Sequence, residues 1–242
     1  MSRMEIPKKF VDKAKFVRVI FTDVQNEYDG LLHVMTLTFD AVWRQRMLSK
    51  IDFSREARIL DLACGTGLVT FQLGRLAKKG SAVVGLDLSP AMLMVAERKK
   101  LKDPNCSIEF VRAAGEYLPF RDGFFNYVTV GLALRNFANK LAVFKETLRV
   151  LVQSGWFLSV DFVRPENPAV WLFYRFHIFH VLPAIGRLVS TYWKRTLLYL
   201  ANSILIATPA PETCVVLREV GFQRTILEKM SLSIATLIGA QK

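Results

Sequence analysis

Apolar residues along this chain recur in two alternating rhythms. Compact apolar runs fall at about 58–63, 82–87, 108–112, 125–131 and 155–161, and each reads as a buried strand. Between them, at about 67–78, 89–101 and 139–151, apolar positions follow helical spacing. Ser89-Pro90 supplies an N-cap and a first-turn proline for the second of these helices. Strands alternating with helices predict a mostly parallel, doubly wound α/β sheet. Residues from about 7 to 50 read as a helical cap, with Phe16, Val19 and Ile20 at helical spacing. After Asp161 the rhythm changes: 168–206 reads as amphipathic to nearly all-apolar helix, expected to break at Pro183 and Gly186. A helix at 211–221 and strands near 222–228 and 231–239 bring the sheet to seven strands. The expectation is one domain over 1–242, with the cap at its start and the apolar segment inserted as a lid before the last strands. Such a lid would cover the carboxyl edge of the sheet, where folds of this class bind ligands.

Composition shifts the picture toward a surface. Hydrophobic residues make up 52% of the chain, Phe alone numbers 18, and the net charge is +12. Mean hydropathy is +0.26 and the pI is near 9.8. A basic and apolar chain suits an anionic membrane surface or nucleic acid. Aromatic RNA-binding signatures are missing, which favours the membrane and no nucleic acid; a solvated basic surface is the plainer alternative. Cys64, Cys106 and Cys214 lie far apart without a C-x-x-C, which argues against zinc and a disulfide scaffold and suits a reducing cytosol. The N-terminus lacks the apolar core of a signal peptide. No stretch of about 20 apolar residues is evident; the nearest, 196–211, is interrupted by Asn202, Ser203 and Pro209. A cytoplasmic protein peripheral to the membrane is expected.

Candidate chemistry gathers between the first two strands. Both end on a carboxylate, Asp61 and Asp87, and Gly65-Thr66-Gly67 lies between them. Gly65 and Gly67 can take positive φ and let a ligand approach the backbone. Asp87 stands 20 residues beyond Gly67, where a ribose-binding acid belongs. Thr70 stands where the third glycine of G-x-G-x-x-G would be. Asp61, at the loop entrance, would repel the pyrophosphate that a helix N-terminus attracts. NAD is therefore disfavoured, and a cofactor with a positive centre and no phosphate fits better. S-adenosylmethionine (SAM) has a sulfonium, an amino group for Asp61 and ribose hydroxyls for Asp87. An ordinary βαβ turn with two surface acids is the plainer reading. Leu88 and Met92 are placed to pack on an adenine or in the core, and Gly131, at the fourth strand tip, leaves room for a methionyl end. Arg135 follows that strand in the apolar context Leu132-Ala133-Leu134, so a buried partner is expected for it. His177 and His180 share a helix face but have no third ligand, so no metal site is expected. Trp171, Phe173, Tyr174, Phe176 and Phe179 form a stripe suited to core packing, a prenyl groove or membrane contact.

Several motifs narrow the class further. They are Tyr28-Asp29 followed by Trp43, Asp61 to Gly67, Glu116-Tyr117-Leu118-Pro119-Phe120, Leu134-Arg135-Asn136, and Phe179 to Gly186 with Tyr199-Leu200 and Ser203-Ile204. On these residues, over nearly its whole length, the chain resembles the ubiquinone/menaquinone biosynthesis C-methyltransferases. These are class I SAM-dependent enzymes that methylate a ring carbon of a polyprenyl quinol. The resemblance implies SAM held by Asp61, Gly65, Thr66, Gly67 and Asp87, with Ala114, Gly115 and Glu116 beside the adenine. It implies a lipophilic quinol as substrate, Arg135 and Asn136 as catalytic residues, and Tyr28 contacting the cofactor or closing the site. A guanidinium is too weak an acid to serve as a base near neutral pH, so Arg135 would stabilise the developing phenolate.

The chain also departs from the family. Asp40 replaces a His three residues before Trp43, Ala114 replaces an Asn or Asp, and Val152-Gln153-Ser154-Gly155 replaces a Lys-Pro-Gly-Gly turn. Leu31-Leu32 replaces Met-Asn, and the tail Ile234 to Gly239 lacks a His. Asp40 and the lid residue His180 are the candidate substrate contacts. A homodimer is one candidate assembly. The rivals are a SAM methyltransferase for another lipophilic acceptor, such as an amine headgroup or a terpenoid, and a non-catalytic SAM-binding scaffold at the membrane.

Overall fold

Parallel strands buried on both faces need helices on both sides, and this sequence supplies them. The computed structural model describes residues 6, 10–102 and 107–242, with the side chains of 10–12 excepted; the start of the expected cap and Cys106 lie outside the described residues. The sheet runs β3 (Ile108–Arg112), β2 (Ala82–Asp87), β1 (Arg58–Leu62), β4 (Phe125–Gly131), β5 (Leu151–Phe162), β7 (Ala235–Gln241), β6 (Arg224–Met230). β1 to β5 are parallel, and β7 lies antiparallel to both β5 and β6. The seven-stranded, mostly parallel α/β fold expected from the sequence is therefore present. β5 begins four residues before its expected start, because Ser154 takes a φ of +63° and the pairing with β4 shifts there.

After α1 (Phe10–Thr22), the cap helices α2 (Tyr28–Thr36) and α3 (Phe39–Leu48) cover one face together with α4 (Leu68–Leu76). α5 (Pro90–Lys100) follows β2, with Ser89 accepting from the Met92 amide as N-cap. α6 (Lys140–Val150) and α10 (Ala210–Val220) bury Phe144 and Leu217 against the other face.

The lid comprises α7 (Pro168–Phe176), a π turn (His177–Val181), α8 (Leu182–Val189) and α9 (Thr191–Leu205). The expected break at Pro183 and Gly186 does not occur. The π turn carries the helix into Pro183, which sits in the first turn of α8, and Gly186 packs its bare Cα against Lys194 and Leu197 of α9. The chain breaks at Ser190, which is extended and caps α9 by accepting from the Trp193 amide. α9 packs on α1, where Tyr199 meets Phe16 and Phe21 edge-on at 5.9 Å.

Candidate functional site

The loop after β1 is shaped by three residues of positive φ: Ala63 (+52°), Gly65 (+57°) and Gly67 (+85°). The two glycines do different work. A Cβ on Gly67 would lie 2.7 Å from the Phe71 ring, whereas one on Gly65 would meet nothing within 4 Å. Gly67 is thus required by packing, and Gly65 keeps open a cavity that it lines. Asp87 holds the loop from β2. Its Oδ2 accepts from the Gly65 amide and its Oδ1 from the Ser89 amide, both at 2.8 Å. Burial raises its pKa, and the two amides pull it back.

Asp61 is 1% exposed and lies in a cleft between two threonines. Its Oδ2 accepts from Thr70 at 2.7 Å and its Oδ1 from Thr129 at 2.9 Å. Burial pushes its carboxyl up to about 7 despite these bonds. An acid so placed favours a cationic neighbour, because a positive charge restores its ionised form.

One cavity collects most of the expected site. Asp61, Gly65, Thr66, Asp87, Leu88 and Met92 line one end, and Ala114, Gly115, Glu116, Gly131, Tyr28 and Asn136 line the remainder. Gly67 does not line it. Gly131 does not leave free space as expected, since a Cβ there would sit 2.7 Å from Val69 Cγ2; its lack of a side chain admits α4. The Thr66 hydroxyl is committed to Asp29 at 2.5 Å, and Lys99 donates to both Asp29 and the Thr66 carbonyl. These bonds latch α2 onto the glycine loop. The carboxylates of Asp61 and Asp87 and the open backbone at Gly65 suit an adenosyl group carrying a positive charge, so the residues present fit SAM.

Beyond Gly131 lies the end suited to an acceptor. Leu134–Asn136 form a 3₁₀ turn. The Asn136 side chain accepts from the Tyr199 hydroxyl at 2.7 Å. Arg135 is buried and has the expected partner, Asp161, at the end of β5. Its guanidinium also donates to the Leu132 carbonyl at 2.6 Å and to the Ser203 hydroxyl at 3.1 Å. Arg135 therefore faces a small chamber behind the main cavity, shared with Ser159, Asp161 and Thr236, and does not line the main one. Its field still reaches the phenols around it. Burial raises Tyr28 to about 12 and raises Tyr174 and Tyr199 as well, and Arg135 opposes each rise. From α1, Lys13 donates to the carbonyls of Arg135 and Phe137 at 3.2 and 2.8 Å, and burial followed by repulsion from Lys140 lowers it to about 8.

Two expected substrate contacts are corrected. Asp40 is 0% exposed and does not line the cavity, because Thr36, Arg44 and His33 enclose its carboxylate. His180 is exposed and stacks on Phe176 at 5.2 Å, since the helix turns that face outward. Among the described residues no His, Cys, Asp and Glu cluster could hold a metal. Residues not anticipated for the site are Asp29, Arg44, Thr70, Thr129 and Asp161. Only Asp161 carried a usable signal: it ends a strand on an acid, as Asp61 and Asp87 do.

The continuous helix Pro168–Val189 is 22 residues long with a mean hydropathy of 1.2, enough by length and composition to cross a membrane. It was not expected from the sequence; Arg175 and Arg187 lie within it. Leu172, Phe173, Phe176 and Leu188 lie exposed along it, with exposed Arg175, Arg187 and, on α9, Lys194 beside them.

Known proteins agree with this architecture. A family model described as the ubiE/COQ5 methyltransferase family matches residues 8–242. A ubiquinone/menaquinone biosynthesis C-methyltransferase from Geobacter sulfurreducens is 30% identical over 97% of this chain and 91% of its own. A demethylmenaquinone methyltransferase from Chlorobaculum parvum is 32% identical over 93% of this chain and 92% of its own. The crystal structure of a SAM-dependent methyltransferase from Aquifex aeolicus shares the fold, with a TM-score of 0.60 at 13% identity over 82% of this chain and 88% of its own.

Proposed function

The chain belongs to the ubiE/COQ5 methyltransferase family, and from that premise we propose that it methylates a ring carbon of a polyprenyl quinol in respiratory quinone biosynthesis, docked on an anionic membrane. SAM, when bound, supplies an electrophilic methyl group on a sulfonium. The residues of this chain hold it and prepare the acceptor. Asp87 offers its remaining lone pairs to the ribose, Asp61 faces the positive methionyl end, and Gly65 admits the ligand to the backbone.

The placement of the buried Arg135 turn at the acceptor end of the cavity, with Asn136 and Tyr28 lining it, carries the reading. A quinol hydroxyl is itself a phenol, and ionising it raises the nucleophilicity of the ring carbon beside it. Burial raises the tyrosyl hydroxyls around Arg135; the guanidinium opposes that rise and its partner Asp161 adds to it. On a quinol in the cavity beside Tyr28, the guanidinium would favour the phenolate in the same direction. Asn136, oriented by Tyr199, and Tyr28 both line the cavity and position the ring. An amine acceptor carries no phenol to ionise, so the reading that uses a phenolate belongs to the quinol.

A prenyl tail needs an apolar surface beside the site, and the lid carries one. The exposed apolar face of α7 and α8, flanked by Arg175, Arg187 and Lys194, suits a lipid surface with negative headgroups. The deciding experiment is mass spectrometry of quinones from cells lacking the protein. A demethyl quinone should accumulate, and purified protein with SAM should convert the demethyl quinol; an unchanged quinone profile would sink the acceptor assignment.

A further inference from the structure

α3 carries an arginine into the wall of the cofactor cavity and leaves half of it unanswered. Arg44 is 3% exposed and lines the same cavity as Asp61 and Tyr28. Its Nη1 is fixed by Asp40 at the preceding helical turn. Asp40 is itself immobilised, its Oδ1 accepting from Thr36 at 2.6 Å and meeting His33 Nδ1 at 3.3 Å. Arg44 Nε, by contrast, is buried with no acceptor among the described residues. Buried donors in folded proteins are almost always satisfied, so an unpaired guanidinium edge in a cavity wall marks where a ligand acceptor belongs. The edge carrying Nε is also the one that grips a carboxylate side-on.

The ligand chemistry follows from the rest of the wall. Asp61 is suited to a cationic group, and the methionyl end of SAM presents an ammonium and a carboxylate on one carbon. A zwitterion needs a cation near that acid. Among the described lining residues the basic ones are Arg18 and Arg44. Arg18 is partly exposed and free to turn to water, whereas Arg44 is buried and held in place.

We propose that Arg44 binds the α-carboxylate of SAM through its free Nε edge, with Asp40 as the residue that positions it. This inference rests on SAM being the cofactor. It also gives Asp40 a role that does not require substrate contact: Asp40 fixes one end of the guanidinium and leaves the other for the ligand.

Calorimetric titration tests this with three ligands: SAM, decarboxylated SAM and 5′-methylthioadenosine. The wild-type protein should bind SAM about 30-fold more tightly than decarboxylated SAM, as expected for a charge-assisted carboxylate contact. Arg44→Met should erase that preference and leave 5′-methylthioadenosine affinity unchanged. The double variant Asp40→Leu/Arg44→Met leaves no stranded charge and should behave the same way if the single variant folds poorly. Equal wild-type affinity for SAM and its decarboxylated form would overturn the proposal. So would an equal loss for all three ligands in Arg44→Met, which would mean a packing role, or unchanged SAM affinity with a raised KM for the quinol. Failure of the wild-type protein to bind any of the three would instead overturn the cofactor reading on which the inference stands.

Discussion

The Tyr199 hydroxyl donates to Asn136 Oδ1 across 2.7 Å, tying the lid helix α9 to the turn after β4. The bond is largely removed from water, since Tyr199 is almost fully buried. Tyr199→Phe keeps the ring contacts with Phe16 and Phe21 and removes only this bond. The expected cost is about 1 kcal/mol of stability. Turnover should fall about tenfold through misorientation of Asn136, a loss of about 1.4 kcal/mol in transition-state stabilisation. SAM affinity should hold. Chemical denaturation and steady-state kinetics on one preparation test this; full turnover in the variant would remove Asn136 orientation from the mechanism.

Arg135 and Asp161 separate stability from chemistry. Removing one member strands a buried charge, so Asp161→Leu should cost about 3–5 kcal/mol. At the usual scaling for a domain of this size that is a Tm decrease on the order of 10 °C. The double variant Arg135→Met/Asp161→Leu should recover most of the stability and none of the turnover, while SAM titration stays near wild type. Calorimetric melting and a methyl-transfer assay distinguish the outcomes. An active double variant would reduce the pair to a structural salt bridge.

The glycine-loop half of the candidate site was legible because its chemistry is local. Asp61, Gly65, Gly67 and Asp87 sit at strand tips, where sequence spacing fixes spatial placement, and the sheet order brings β1 and β2 side by side. Asp40 and His180 were misread because their contacts are set by packing. A helix turn points Asp40 at Arg44 and His180 toward solvent. Arg44 and Asp29 were missed for the same reason: each reaches the site from a cap helix, and periodicity does not say which helix face meets the cavity. Pro183 failed as a break because the preceding π turn absorbs it.

The two loop glycines should fail in different ways. In Gly67→Ala the added Cβ meets Phe71 at 2.7 Å with φ at +85°, so stability should fall by about 1–3 kcal/mol. In Gly65→Ala the methyl enters open space in the cavity, so beyond the strain of its φ the main loss should be SAM affinity. Melting temperatures and SAM titrations of both variants check this. Equal SAM affinity in Gly65→Ala and wild type would mean the ligand does not approach the backbone there.

The lid face predicts where the protein docks. Phe173→Ser/Phe176→Ser/Leu188→Ser removes exposed apolar groups that the fold does not bury, so melting should be unchanged within about 0.5 kcal/mol per site. Flotation with vesicles containing anionic lipid should recover wild type and much less of the triple variant, and added salt should weaken recovery of both. Recovery of wild type in the soluble fraction at low salt would contradict docking.

Asp61 makes SAM binding depend on pH. Burial holds its carboxyl up at about 7 in the folded protein, against an ordinary 3.8. Between those values the native state holds a proton that the unfolded state has lost. The stability contributed by the neutral acid is therefore fully present below about pH 4 and falls as pH rises toward 7, by about 4 kcal/mol in all. A cation bound beside Asp61 favours the ionised form, so SAM affinity should rise with pH and level off above about 7. Near pH 6 binding should release close to one proton from Asp61 per SAM, visible as a dependence of the calorimetric heat on buffer ionisation. Asp61→Asn mimics the protonated acid: it should bind SAM weakly at every pH and lose the 4-to-7 slope in stability. The comparison of the two proteins isolates Asp61 from any titration of SAM itself. Identical pH profiles for wild type and Asp61→Asn would show that this carboxylate does not face the positive end of the cofactor.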